Sequence, residues 1–181
     1  EKIMMTQIPP NEKMRQQALE RLQVVDTPDE QAYDDITRLA AGICETPIAL
    51  ISLTDNHRQW FKSRMGLQAR EMPRENSFCS HALESLPNLM IVQDTATDTR
   101  FVSHPLVKGE PRIRFYAGAP LLTQDGHMLG ALCVVNTVPR SLEAKQLEQL
   151  QFMAQQVMVM LESRATPMRQ IPESDAPQRS S

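Results

Sequence analysis

Apolar positions along this chain follow two rhythms, one recurring every third or fourth residue and one packed into short runs. The first begins at Met14, Ala18, Leu22 and Val25, which predicts a helix over residues 11–23 with Asn11 as its cap. A second helical rhythm follows Thr27-Pro28-Asp29-Glu30. Thr27 suits an N-cap, Pro28 the first helical position, and Glu30 completes a capping box. Tyr33, Ile36, Leu39, Ala40 and Ile43 mark the face this helix is expected to bury, and Pro47 stops it beyond Glu45. The rhythm then changes. Residues 48–54 (IALISLT) read as a buried strand, and 57–65 (HRQWFKSRM) as a more polar one, expected at the sheet edge. Residues 68–76 are charged and loop-like, 77–83 start extended and turn helical, and 89–92 form a further short strand. Residues 95–111, rich in Thr, Asp, Pro and Gly, predict a long crossover loop with one helical patch at 99–102.

The densest apolar stretch lies at 112–136. Two strands, 115–123 and 127–136, flank Gln124-Asp125-Gly126, and Asp-Gly is a strong hairpin signal because glycine takes positive φ without steric cost. Both arms are nearly continuous in apolar residues, as expected of central strands covered on both faces. Gly118 and Gly130 fall where a side chain would obstruct a neighbouring backbone or a ligand. Beyond Ser141, a cap, residues 142–163 form a long terminal helix. Leu147, Leu150, Ala154, Val157 and Leu161 make a heptad-like stripe on it, while Phe152, Met153, Val159 and Met160 lie off that stripe. Apolar residues around so much of the circumference predict a helical bundle with a second copy, and those five positions are assigned to a homodimer interface. Helices at both ends of hairpin-linked strands predict an α+β domain with an antiparallel sheet of five to six strands.

Composition narrows the classes. Lys and Arg number 19 against 22 Asp and Glu and are interspersed with them, so there is no basic stripe to hold nucleic acid. No apolar run is long enough to span a bilayer, and the start lacks the layout of a signal peptide. Cys44, Cys79 and Cys133 are odd in number and widely spaced, which argues for a reducing, cytoplasmic setting. The domain is expected over 11–164, with 1–10 a flexible tail and 165–181 a disordered tail or linker. The first residue is Glu, consistent with a piece of a longer protein.

The order of these elements carries a resemblance. FYAGAPL followed by DGHMLGALCV, together with SFCSHAL, PIALISLTDNHRQWFKSRMGL and MIVQDTATDTRFVSHPLV, closely resembles the bacterial GAF domain family over residues 12–164. More narrowly, it resembles the subgroup that precedes histidine kinase or diguanylate cyclase modules. The resemblance implies terminal helices packed on one sheet face and a loop-covered small-molecule pocket on the other. It implies a sensory or regulatory role, often in a dimer, and it names neither ligand nor cofactor.

The expected ligand-binding residues are Phe78, Cys79, His81, Asp94, Arg100, Phe101, Arg114 and Tyr116. Arg100 or Arg114 would meet an anionic group and Tyr116 would supply a hydroxyl. The competing reading is that Asp94, Asp98 and the arginines pair with one another to fasten the loop. Cys79 and His81 lack the further pair that a closed zinc site needs. Cys79 at a helix start beside His81 could instead be a nucleophile, as in the free methionine sulfoxide reductases on the same fold, or simply a small buried residue. Asp34 and Asp35 are consecutive on a helix and diverge, and no Gly-rich phosphate loop or triad spacing is present. No catalytic or metal-binding residue is assigned. The expectation is a non-catalytic sensory module with an unidentified small-molecule ligand and an output domain C-terminal to it. Its rivals are a ligand-free dimerisation module and a thiol-dependent reductase.

Overall fold

Strands buried along most of their length need cover on both faces, and the molecule is layered around the two at residues 115–122 and 128–136. The structure, a computed structural model, describes residues 11–82 and 86–165, apart from the side chains of Asn76, Cys79, Ser80 and Ala165. The elements on its N-terminal half are α1 (Glu12–Arg21), α2 (Gln31–Cys44), β1 (Ile48–Thr54), β2 (Arg58–Met65) and β3 (Glu71–Pro73). A 3-10 turn (Arg74–Asn76) then leads to α3 (Cys79–Ala82), β4 (Met90–Val92) and α4 (Pro105–Lys108). The hairpin of β5 (Phe115–Leu122) and β6 (Met128–Asn136) and the helix α5 (Ala144–Ala165) complete the fold.

All pairings are antiparallel, in the order β3-β2-β1-β6-β5-β4. The α+β antiparallel sheet expected from the pattern is therefore present, with six strands. Every residue of β6 is buried, and Gly126 turns the β5–β6 hairpin at φ +83°. Both edge strands have three residues, which limits the row of unpaired backbone groups offered to other chains.

Alternation along the strands separates two cores. Ala49, Ile51 and Leu53 of β1, with Phe115, Leu132 and Val134, face the layer of α1, α2 and α5. Ile48, Leu50, Phe61, Tyr116, Cys133 and Val135 face the loops, α3 and α4. Helix α5 lies over β5 and buries Leu150, Met153, Ala154, Val157, Met158 and Leu161 in the helix-side core. This corrects the expected dimer interface. Leu150, Ala154, Val157 and Leu161 are used within the chain and Leu147 is half-buried, because the stripe faces the sheet. The large apolar residues that α5 leaves exposed are Phe152 and Val159.

Several local expectations give way to tertiary contacts. Strand β2 is not the edge, since β3 pairs outside it in the stretch read as a loop. The β1–β2 register skips Lys62: Ile51 pairs with Ser63 and Ser52 with Phe61. At this bulge Lys62 and Ser63 both turn to the helix side. The Lys62 side chain has no solvent exposure, and its three N–H donors meet Thr27 Oγ1 (2.9 Å), the Pro28 carbonyl (2.7 Å) and the Glu30 carboxylate. The predicted capping box therefore does not form. Helix α2 starts at Gln31 with no side-chain cap, because Thr27 and Glu30 serve Lys62 instead. Asn11 likewise makes no side-chain cap for α1, and Leu39 is exposed while Thr37 and Ala41 are buried. The helical patch of the crossover loop lies at Pro105–Lys108 rather than 99–102, since His104 Nδ1 accepts the Leu106 amide (3.0 Å) as its cap.

The two strand glycines have separate causes. A Cβ on Gly130 would stand 1.8 Å from the Ser52 carbonyl oxygen of β1. On Gly118 it would meet the Tyr116 hydroxyl at 2.5 Å, so this glycine makes room for a tyrosine ring lying along the sheet.

Helix α1 buries Ala18 and Leu19 and is also fastened by charge. Glu12 holds Arg15 through two bonds of 2.9 Å and accepts Arg74 Nη1 at 2.6 Å. Arg15 reaches the Thr54 carbonyl at 2.8 Å, and Gln16 donates to Asp55 Oδ1 at 2.7 Å. The Arg15 hydrogen bond, opposed by burial and aided by Arg74, holds the Glu12 carboxyl down to about 2.

Three substitutions test this packing. Gly130→Ala is expected to cost about 3 kcal/mol or more, the upper end of overpacking, because backbone must move. Gly42→Ala in α2, where nothing lies within 4 Å of the new carbon, is expected to stabilise by about 0.5–1 kcal/mol. Urea denaturation of both variants checks the pair. Glu12→Gln should lower stability by about 1–3 kcal/mol at neutral pH. Because the folded carboxyl titrates below its ordinary 4.5, that advantage is full above pH 4.5 and is lost as pH falls toward 2. Denaturation curves of the two proteins should therefore converge across that window.

Candidate functional site

The loop-side core encloses a small cavity against β1, β2, β5 and β6. It is lined by Leu50, Phe61, Tyr116, Cys133 and Val135 of the sheet and by Leu67, Met72, Phe78, Leu106 and Ile113 from the connections. Its volume is about 40 Å³, room for a few waters and well below the roughly 300–1,000 Å³ of ordinary ligand pockets. At one end Ser52, Gln59 and Ser77 place polar atoms on the lining. Gln59 Nε2 donates to Ser77 Oγ (2.7 Å) and its Oε1 accepts Ser52 Oγ (2.9 Å), so this buried amide is held on both sides. Tyr116 Oη and Cys133 Sγ lie 3.1 Å apart. None of the described lining residues carries a charged side chain.

Aromatic rings fill the space beneath the crossover loop. Phe78 stacks on Tyr116 (4.9 Å between centroids, 12° between planes), on Phe101 (4.8 Å) and on the His104 ring (4.5 Å). His81 meets Phe101 edge-on at 5.0 Å. Stacks of this kind add about 0.5–1.5 kcal/mol per pair beyond the area they bury. The fold thus gathers Phe78, His81, Phe101 and Tyr116 from segments up to 38 positions apart in the chain.

The charged candidates sit elsewhere. Arg100 pairs with Asp98 at 2.8 Å, and that hydrogen bond holds the Asp98 carboxyl below its ordinary range. Arg114 Nη1 donates to the carbonyls of Val107 (2.9 Å) and Ile113 (3.1 Å), stitching the end of the loop. Asp94 accepts the Ala96 amide at 3.0 Å in a local turn. None of the three lines the cavity, and the loop-fastening reading describes Asp98, Arg100 and Arg114 in this structure. The Cys79 side chain lies outside the described residues. Cys44 is buried, and burial pushes its thiol up, away from the reactive thiolate.

Sequence reasoning missed Ser52, Gln59, Ser77 and His104. Gln59 belongs to the strand read as an edge, and only the bulge at Lys62 shows which β2 side chains face the loops. The His104-Pro105 dipeptide was a readable helix start.

On the helix side, the Lys62 contact reaches further than its own strand. Glu30 Oε2 also accepts Arg164 Nη1 (2.8 Å) from the last turn of α5. Lys62, opposed by burial and helped by Arg164, holds the Glu30 carboxyl below its ordinary range. A carboxylate in the α1–α2 connection thus joins a buried cation of β2 to the end of the terminal helix. Strand β2 presents Gln59 and Phe61 to the cavity from its opposite face.

Comparison with known proteins agrees with this architecture. A Pseudomonas aeruginosa protein named cyclic di-GMP phosphodiesterase is 40% identical over 154 residues, 84% of this chain and 26% of that protein. The chain therefore spans about a quarter of that relative's length. Among solved structures, the GAF domain of an Acinetobacter phosphoenolpyruvate-protein phosphotransferase superposes with a TM-score of 0.62 at 16% identity, covering 81% of this chain and 93% of that one. A type II free methionine-R-sulfoxide reductase from Thermoplasma acidophilum gives a TM-score of 0.60 at 10% identity, covering 74% and 92%. Likeness at such identities concerns fold and carries no chemistry. Among the described residues no helix is long and apolar enough to cross a membrane. The GAF domain family profile matches residues 29–161, from the Glu30 junction through the sheet and both cores to Leu161 of α5, and the chain belongs to that family.

Proposed function

We propose that residues 11–164 form one sensory and regulatory GAF module, non-catalytic itself, that passes the state of its loop-side face through α5 to an output domain. The observation that carries this reading is the Lys62–Glu30–Arg164 chain. It ties the end of α5 to the strand whose other face lines the cavity. Any shift of β2 at its bulge alters the partner that Arg164 shares, so the helix end has a physical reason to respond. The name of the 40% identical relative, most of which lies outside the match, favours an output domain that acts on cyclic di-GMP. That choice narrows the expected association with kinase or cyclase modules to cyclic-di-GMP turnover. Self-association through α5 falls to Phe152 and Val159, 60% and 62% exposed, rather than to the buried stripe.

A second reading is favoured by one observation. The aromatic stack leaves about 40 Å³, which is what a module that only dimerises and binds no ligand would show. A thiol-dependent reductase draws support from the fold of one solved structure alone.

The relay is tested at its far end. Arg164→Gln, at the surface of α5, is expected to quicken hydrogen exchange of the Gln59 and Phe61 amides about fivefold or more, the lower range of allosteric coupling. Glu30→Gln should do the same, and the double variant should add little. Changes confined to α5 and α2 would mean that the helix end and the cavity face are uncoupled.

A further inference from the structure

We infer that the ligand of the loop-side face is a neutral, flat aromatic molecule, and that the Phe78 ring occupies its place in the resting chain. This rests on the sensory reading above and names the chemistry of that same site. Three observations carry it.

The first is charge. The described lining holds hydroxyls, an amide and a thiol but no cation or anion, and the two arginines expected to meet an anion, Arg100 and Arg114, are spent on Asp98 and on loop carbonyls. An anionic ligand would lose its hydration with no counter-charge to replace it. Cyclic di-GMP, with two phosphates and two nucleosides, fits neither the charge nor the size.

The second is shape. Phe78 lies nearly parallel to Tyr116 at 4.9 Å and within 4.8 Å of Phe101 and 4.5 Å of His104. Those rings form a slot for a flat partner, and the side chain now in it comes from a short segment between a 3-10 turn and α3 rather than from the sheet. A ligand that takes the slot must replace the stacking that Phe78 gives up, and only another aromatic ring does so.

The third is the polar end. Ser77 precedes Phe78, and its hydroxyl with the Gln59 amide and Ser52 hydroxyl forms a connected set on the cavity wall. An N–H or O–H on the ring edge can join that set, since a hydroxyl both donates and accepts. The site then selects one hydrogen-bonding group on an apolar ring.

Indole and indole-3-carboxylate share one ring and differ in charge, and the test titrates both, and cyclic di-GMP, into the intact chain followed by NMR. Indole is expected to shift the Ser77 and Tyr116 amides saturably and to change the Phe78 ring signals, while the carboxylate binds at least tenfold more weakly. Phe78→Ala should tighten indole binding at least tenfold and keep the discrimination. Phe78→Leu, which retains bulk without a ring, should tighten it in the same direction if the alanine variant does not fold. Binding of the carboxylate or cyclic di-GMP as tightly as indole, with shifts at Ser77 and Tyr116, would overturn the neutral class and leave the sensory reading standing. No response of the loop-side face to any of the three, in the intact chain or either variant, would overturn both. Indole binding that leaves the Phe78 ring unchanged would overturn the displacement alone.

Discussion

A lysine side chain with no access to water is the constraint on which much of this chain's architecture depends. Removing a cation from water is unfavourable unless every donor is met, and breaking such a set by deleting one partner costs far more than a surface pair would. Lys62 meets the condition with a hydroxyl, a carbonyl and a carboxylate, all drawn from residues 27–30. Thr27 and Glu30 then give their side chains to Lys62 rather than to the first turn of α2. Beside it the β1–β2 register carries an extra residue, and Lys62 and Ser63 both point away from the loop-side core. Local propensity and tertiary demand conflict here, and the tertiary demand prevails.

The two faces of the sheet are packed with different materials. The helix side is mainly aliphatic, with leucines and valines of β5, β6 and α5 packed around Tyr33, Trp60 and Phe115. The loop side relies on rings: Phe61, Phe78, Phe101 and Tyr116 do the filling that helices do on the other face. A ring contributed by a short connection has fewer neighbours fixed by regular structure, so this face has the means to rearrange without dismantling the sheet. That asymmetry, rather than any catalytic constellation, makes the loop side the functional candidate. The same asymmetry explains the charge distribution, because the arginines of the loop are consumed in holding it closed.

The strands and their glycines were legible from the pattern of residues because their causes are local or nearly so. An Asp-Gly turn between two apolar runs admits few arrangements, and the six-stranded sheet grows from it. Gly118 and Gly130 signalled close approach, although only the folded chain tells a tyrosine ring from a neighbouring backbone. The aromatic members of the candidate site, Phe78, Phe101 and Tyr116, were also readable as loop-side residues. For the arginines the pattern left two readings open, a ligand's counter-charge or a fastening of the loop. A cation beside a pocket suggests an anion, but whether its partner is a ligand or a carbonyl a few residues away depends on how the loop closes.

The terminal helix shows the same division. Its apolar periodicity fixed that it is a helix and that one face is buried. It could not say whether the sheet or a second chain covers that face, because both would select the same residues. The fold decided for the sheet, leaving Phe152 and Val159 outside. By itself, then, the sequence determined the long helices and strands, the hairpin at the centre and the family, since these rest on periodicity, turn chemistry and near-neighbour sterics. The tertiary structure alone decided the bulge at Lys62, the neutral lining of the cavity and the tie from Glu30 to Arg164. Each of these depends on side chains far apart in sequence competing for the same partner, and a linear pattern does not record which of them wins.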